Sequence, residues 1–119
     1  LKLTLQPLVE NSLYHGIKYK RAEGRIEVIG TREGNLIRFL VRDNGVGMEE
    51  QELLKLREEI MKPCQETEKG FGLANVNERI RMNFGPQYGM QIDSVKYKGT
   101  CVSITIPMKC IQQAGEMGR

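Results

Sequence analysis

Leu36-Ile37-Arg38-Phe39-Leu40-Val41-Arg42-Asp43-Asn44-Gly45-Val46-Gly47 is the stretch on which the reading of this chain turns. Seven residues rich in apolar and β-favouring side chains end in a carboxylate, and a loop with two glycines follows. Upstream, Arg25-Ile26-Glu27-Val28-Ile29 is a second such run, and Glu33-Gly34-Asn35 lies between the two, so the pair reads as an antiparallel hairpin. Glycines at 45 and 47 let a backbone approach a ligand closely, and a carboxylate at a strand end can accept a hydrogen bond from an exocyclic amine such as that of adenine. The same five residues also make an ordinary turn, so their meaning depends on what lies around them.

Upstream of the hairpin, Leu5, Leu8, Val9, Leu13 and Ile17 recur at three- and four-residue steps, which predicts one helix with Thr4 as a possible cap and Gly16 near its end. Downstream, residues 49–61 are rich in helix formers with acids in the first turn, and Pro63 is the expected stop. Residues 62–69 are polar and aperiodic and read as a mobile connection. Leu73, Val76, Ile80 and Phe84 form a third helical stripe ended by Gly85-Pro86. A final hairpin is expected from Met90-Gln91-Ile92-Asp93, a turn at Lys98-Gly99, and the alternating run 100–107. The order helix, hairpin, helices, hairpin predicts an α/β (α+β) two-layer sandwich, a mixed, mostly antiparallel sheet with helices on one face. Residues 1–108 are expected to form the domain and 109–119 a frayed C-terminal tail.

Composition narrows the function. With 119 residues the chain suits one domain, and 39% apolar against 28% charged residues describes a globular core rather than a disordered segment. The net charge of +3 is dispersed, so no footprint for nucleic acid is present. Lys18-Tyr19-Lys20-Arg21, the densest basic run, reads either as a solvated loop or as a phosphate-facing one. Cys64, Cys101 and Cys110 are odd in number and lack metal-ligand spacing, which fits a reducing compartment. No apolar run approaches the roughly 20 residues of a membrane span. The start inside an apolar-patterned segment, Leu1-Lys2-Leu3-Thr4-Leu5, suggests a domain cut from a longer protein.

Two further constellations flank the Asp43 loop. Lys69-Gly70-Phe71-Gly72-Leu73-Ala74-Asn75-Val76 runs a glycine-rich loop directly into a helix, whose unpaired N–H groups and partial positive charge suit a polyphosphate. It lacks the Lys-Ser/Thr of a P-loop and the spacing of a dinucleotide fingerprint, and it also reads simply as a flexible helix start. Gln6-Pro7-Leu8-Val9-Glu10-Asn11-Ser12-Leu13-Tyr14-His15-Gly16 sets Glu10, Asn11, Tyr14 and His15 opposite the apolar stripe of the first helix. That face is either solvated or supplies an Asn oxygen to Mg²⁺, which prefers oxygen donors and keeps waters.

Taken in order, the three constellations resemble the N, G1 and G2 boxes of the superfamily that unites gyrase, the ninety-kilodalton heat-shock chaperone, histidine kinases and mismatch-repair ATPases. Gln6-Pro7-Leu8-Val9-Glu10-Asn11 and Gly99-Thr100 resemble most the sensor histidine kinases related to autolysis and sugar-response regulators, over about Leu5 to Pro107. The resemblance implies ATP and Mg²⁺ as ligands. Asn11 would ligate the metal, and Glu10 and Asn11 would carry catalysis. Asp43 would receive the adenine amine, and Gly45 and Gly47 would shape the base pocket. Thr100 would support Asp43 through the adenine or a shared water. Gly70, Gly72 and Leu73 would lie along the triphosphate with Asn75 nearby, residues 48–69 would form a lid, and His15 and Lys18 would be phosphate-side neighbours.

Two positions depart from the family pattern. Tyr14 stands where many histidine kinases carry a basic residue, and Phe71 sits inside the G2 loop in place of a separate Phe-rich box. Pro7 occupies the position where the gyrase-like branch carries its general-base Glu, which disfavours a self-contained hydrolase, whereas phosphoryl transfer needs mainly positioning and charge neutralisation. The only histidine, His15, lies in the nucleotide-binding helix, so the phospho-accepting His is expected on an upstream dimerisation domain. The implied partners are that domain and a response regulator receiver, within a membrane-anchored bacterial homodimer whose cytoplasmic part includes this chain. A serine kinase of the anti-sigma-factor type and a degenerate nucleotide-binding interaction module are the alternatives.

Overall fold

A computed structural model describes residues 5–17, 23–62 and 72–108, with 14–16 described by their backbone alone. The expected Thr4 cap, the basic run at 18–21, Lys18, the Pro63 stop, Gly70, Phe71 and the 109–119 tail lie outside the described residues. The elements are α1 (Gln6–Asn11), a π-helical segment (Ser12–Ile17), β1 (Ile26–Glu33), β2 (Leu36–Asp43), α2 (Glu50–Glu59), α3 (Gly72–Phe84), β3 (Gly89–Val95) and β4 (Gly99–Pro107). The strands form one sheet in the order β1-β2-β4-β3. Every pairing among the described residues is antiparallel, so the mixed component that the sequence reading allowed does not occur there.

Register explains why the site sits where it does. On the helix-covered face, neighbouring strands line up Ile37 with Ile106, then Phe39 with Ile104 and Met90, then Val41 with Val102 and Ile92. Val102, Ile104, Ile106 and Val41 are fully buried, and they pack with Leu8, Leu53, Leu73, Val76 and Ile80 from the helices. The last row of this face is polar: Asp43 on β2, Thr100 on β4 and Ser94 on β3. A greasy sheet face therefore ends in a carboxylate and two hydroxyls, at the edge where the glycine loop leaves β2.

The first helix departs from its expected regularity. Leu8 is fully buried, with Leu5 and Val9 partly so, but the helix changes at Ser12 to i→i+5 bonding, which widens the turn. Leu13 is consequently turned out of the stripe and is 45% exposed. α2 begins with an N-terminal clasp in which Glu52 accepts the Glu49 N–H at 3.4 Å, and two acids, Glu50 and Glu52, complement the helix start. It buries Leu53, and Ile60 just beyond its end. Arg57 donates to the Ile92 carbonyl from Nε and Nη2, at 2.9 and 2.7 Å, which occupies an otherwise free acceptor on edge strand β3. The span 48–62, expected as the first part of a lid, is thus anchored in the body of the domain.

Asn77, which the sequence reading did not single out, is 1% exposed on α3. Its Nδ2 donates to the Ile60 carbonyl at 2.8 Å, and its Oδ1 accepts the Met90 N–H at 2.9 Å. One amide thereby joins the end of α2, the middle of α3 and the start of β3, at full satisfaction of its own polar atoms.

The two hairpins turn differently. Between β1 and β2 only Gly34, the first central residue, has positive φ (60°), the pattern of a type II′ turn. Between β3 and β4 the turn centres on Lys96 and Tyr97, with Lys98 N–H donating to Val95 O at 2.9 Å, two residues earlier than expected. Tyr97 holds φ 67°, at a position where a type II turn calls for glycine. It is 82% exposed, so little packing offsets that strain. Tyr97→Gly is expected to raise stability by roughly 0.5–1 kcal/mol, seen as a higher urea midpoint at unchanged slope. A lower midpoint would show that the ring contributes more than its exposure suggests.

Candidate functional site

The site is built at the end of the sheet where β2 releases the chain. Asp43 is 5% exposed, and its Oδ1 accepts the Gly45 N–H at 2.9 Å and the Thr100 N–H at 3.3 Å. Its Oδ2 is buried with no partner among the described residues. A carboxylate oxygen withdrawn from water and left unpaired costs free energy, so its presence points to a ligand donor that completes it.

The frame around Asp43 is densely hydrogen-bonded. Asn44 ties the loop to the start of β1: its N–H donates to Arg25 O at 3.2 Å and its Oδ1 accepts Arg25 N–H at 2.7 Å. Gly47 has φ 68°, and a Cβ there would overlap the Val95 carbonyl oxygen. Gly99 has φ 131°, and a Cβ there would overlap the Asp43 carbonyl oxygen. Tyr97 N–H donates to Val46 O at 2.6 Å, which straps the β3–β4 turn onto the glycine loop. Glycine at 47 and 99 is therefore required by close backbone approach as well as by φ. Ser94 completes the frame. Its Oγ accepts the Met48 N–H at 2.9 Å, donates to Gly99 O at 2.9 Å, and lies 2.8 Å from Thr100 Oγ1.

The other expected site residues fall into two groups. Asp43, Gly45, Gly47 and Thr100 come together as above, and Gly45 and Gly47 are both buried. Asn11 ends α1 half-buried, and Glu10 beside it is exposed, its Oε1 accepting from Gln6 Nε2 at 2.7 Å. α1 packs on α3, and Gly72 at the start of α3 faces Pro7, to whose Cβ a methyl there would come within 3.4 Å. The Asn11 helix and the start of α3 thus lie against each other. Leu73 is 6% exposed and part of the core, so only its backbone can line a ligand, while Asn75 is exposed on the first turn of α3. Lys18, Gly70 and the side chain of His15 lie outside the described residues. Ser12, next to Asn11, is buried, and its Oγ has no partner among the described residues.

Sequence reasoning missed Ser94, which shows no motif of its own and becomes visible only when the register sets it beside Thr100. On the opposite face Cys101 is half-buried, and its thiol is raised above its usual range, first by burial and then by the negative charge of Asp93.

A profile of the histidine kinase-, DNA gyrase B- and HSP90-like ATPases matches residues 1–109. The chain belongs to this ATPase family. It is 34% identical over 108 residues to sensor histidine kinase YesM of Bacillus subtilis, covering 91% of this chain and 17% of that protein. It is 36% identical over 107 residues to sensor protein LytS of Bacillus cereus, covering 88% of this chain and 18% of that one. The chain thus spans less than a fifth of these relatives. Among solved structures, the catalytic domain of histidine kinase ThkA superposes with a TM-score of 0.62 at 21% identity, over 87% of this chain and 62% of that one. The histidine kinase domain of the Erythrobacter litoralis EL346 blue-light-activated kinase superposes at 0.60 with 20% identity, over 88% and 42%. In this ATPase-family domain the Asp43 row offers a buried carboxylate oxygen, Oδ2, as an unpaired hydrogen-bond acceptor beside the glycine loop.

Proposed function

We propose that this chain is the ATP-binding catalytic domain of a two-component sensor histidine kinase. The observation that carries the reading is the buried, unpartnered Oδ2 of Asp43, set in a row with Thr100 at the end of the sheet. Asp43 anchors the adenine, and the glycine loop sets the plane of the base. The start of α3, whose first-turn N–H groups have no intrahelical acceptor, receives the phosphates together with Gly70, Lys18, His15 and Asn75. Asn11 would hold Mg²⁺ through its side-chain oxygen, and the ion when bound neutralises phosphate charge. Among the described residues no cluster of three or more His, Cys, Asp or Glu side chains forms, compatible with an ion carried largely by phosphate and water. Glu10, exposed beside Asn11, meets the incoming acceptor.

In the transfer, the bond from the γ-phosphorus to the β,γ-bridging oxygen breaks, a P–N bond forms on the acceptor imidazole, and ADP departs. Pro7 supports transfer over hydrolysis, because the position carries no proton-accepting side chain. The acceptor histidine belongs to an upstream dimerisation domain and the next acceptor to a response regulator. The intact protein is a membrane-anchored homodimer with this domain on the cytoplasmic side. The relatives' names, a sensor histidine kinase and a sensor protein, support the sensor-kinase part of this reading. Among the described residues no helix is long and apolar enough to cross a membrane.

The test is to supply the protein's own upstream segment in trans with Mg²⁺ and γ-labelled ATP. Acid-labile, base-stable phosphate on that segment is expected. Free phosphate alone would indicate a hydrolase, acid-stable phosphoserine a serine kinase, and nucleotide binding without transfer an interaction module.

A further inference from the structure

We infer that Ser94 is a specificity-determining positioning residue: it fixes the direction of the Thr100 hydroxyl so that the base pocket presents only acceptors and selects a 6-amino over a 6-oxo purine. The inference rests on the nucleotide-binding reading above.

Proton counting carries it. A serine hydroxyl has one proton and two lone pairs. The Met48 N–H can only donate, so Ser94 Oγ accepts there, at 2.9 Å. The Gly99 carbonyl can only accept, so it takes the single Ser94 proton, also at 2.9 Å. The remaining contact, 2.8 Å to Thr100 Oγ1, then has to be donated by Thr100. With its own proton so engaged, Thr100 turns only lone pairs towards the pocket, on the same sheet face as Asp43 and in register with it.

Asp43 Oδ1 is held by the N–H groups of Gly45 and Thr100, which leaves Oδ2 as a second acceptor. An amino group at the purine 6-position brings protons to these oxygens. A carbonyl oxygen there brings lone pairs against lone pairs, and buried acceptors facing each other are penalised far more than in water. A site that rejects by mispaired polar groups discriminates strongly. The sequence of protons runs from Thr100 through Ser94 to Gly99 O. Ser94 touches no base in this arrangement and acts through Thr100.

The 119-residue chain is to be titrated calorimetrically with ADP and with IDP, each with Mg²⁺. Wild type is expected to prefer ADP. Ser94→Ala frees the Thr100 hydroxyl to rotate and donate, and the ADP/IDP affinity ratio should fall roughly tenfold while circular dichroism is unchanged. Ser94→Thr, which keeps the hydroxyl, should restore the ratio. Should Ser94→Ala fail to fold, Thr100→Val serves instead: loss of a fixed acceptor lowers the ratio, whereas loss of an adaptable hydroxyl weakens both nucleotides equally. An unchanged ratio in a folded Ser94→Ala, or equal weakening in Thr100→Val, overturns the role of Ser94 and leaves nucleotide binding standing. Absence of ADP binding by wild type would instead overturn the nucleotide-binding reading on which the inference rests.

Discussion

Asp43→Asn is expected to weaken ADP binding by about 100-fold or more while leaving the fold intact. The two N–H groups on Oδ1, from Gly45 at 2.9 Å and Thr100 at 3.3 Å, demand an acceptor there. Asparagine satisfies them with its carbonyl oxygen, which forces its NH₂ into the place of Oδ2, where it meets the adenine amine donor to donor. Loss of a charge-assisted hydrogen bond is worth roughly 1.5–3 kcal/mol, and the mispaired donors add about 1–3 kcal/mol. At 1.4 kcal/mol per factor of ten, the sum gives at least about 100-fold. The unliganded protein should lose little stability, because the buried unpaired carboxylate oxygen is itself a cost of the free state. Calorimetric titration with ADP and a urea melt of the apo-protein read the two effects separately. Near-normal ADP affinity in Asp43→Asn would move the base pocket elsewhere.

Gly99→Ala is expected to be the most damaging single methyl in the described chain. At φ 131° an L side chain is strained, and the added Cβ would overlap the carbonyl of Asp43 on the neighbouring strand. Backbone strain of about 1–3 kcal/mol and overpacking of about 1–3 kcal/mol together approach 3–5 kcal/mol. For a domain with roughly 5–15 kcal/mol in total, that is a large fraction, and the midpoint of thermal unfolding should fall on the order of 10–20 °C. Gly34→Ala is the internal control. It too has positive φ, at 60°, but nothing lies within 4 Å of its added Cβ, so about 1 kcal/mol is expected. Equal losses at the two positions would mean that φ alone, and not the approach to Asp43, requires Gly99.

Several features of this fold were legible because local chemistry and tertiary need agree. The hairpin through Gly34, the acidic start of α2 and the stripe Leu73, Val76 and Ile80 all follow from short-range patterns that the core also demands. Asp43 and its glycines were legible as a motif, and Thr100 through the resemblance that placed it opposite. The rest was hidden for physical reasons. Ser94 and Asn77 are single polar residues whose partners are 46 and 17 positions away at their farthest, so nothing near them in the chain signals a role. The widened turn at Ser12 changes which side chains face inward without altering the apolar spacing that predicts a regular helix. Gly99, read as a turn residue, is instead the first residue of a strand, held there by its contact with Asp43.

The Asn77 amide has a consequence for how the domain comes apart. Because it holds the end of α2 and the start of β3 to α3 at once, none of the three can open locally without stranding a buried donor or acceptor belonging to another. These elements should therefore open as one cooperative block, with the Met90 amide among the last to exchange its proton. The edge strand β1 has no part in the Asn77 clasp and is expected to open separately from this block.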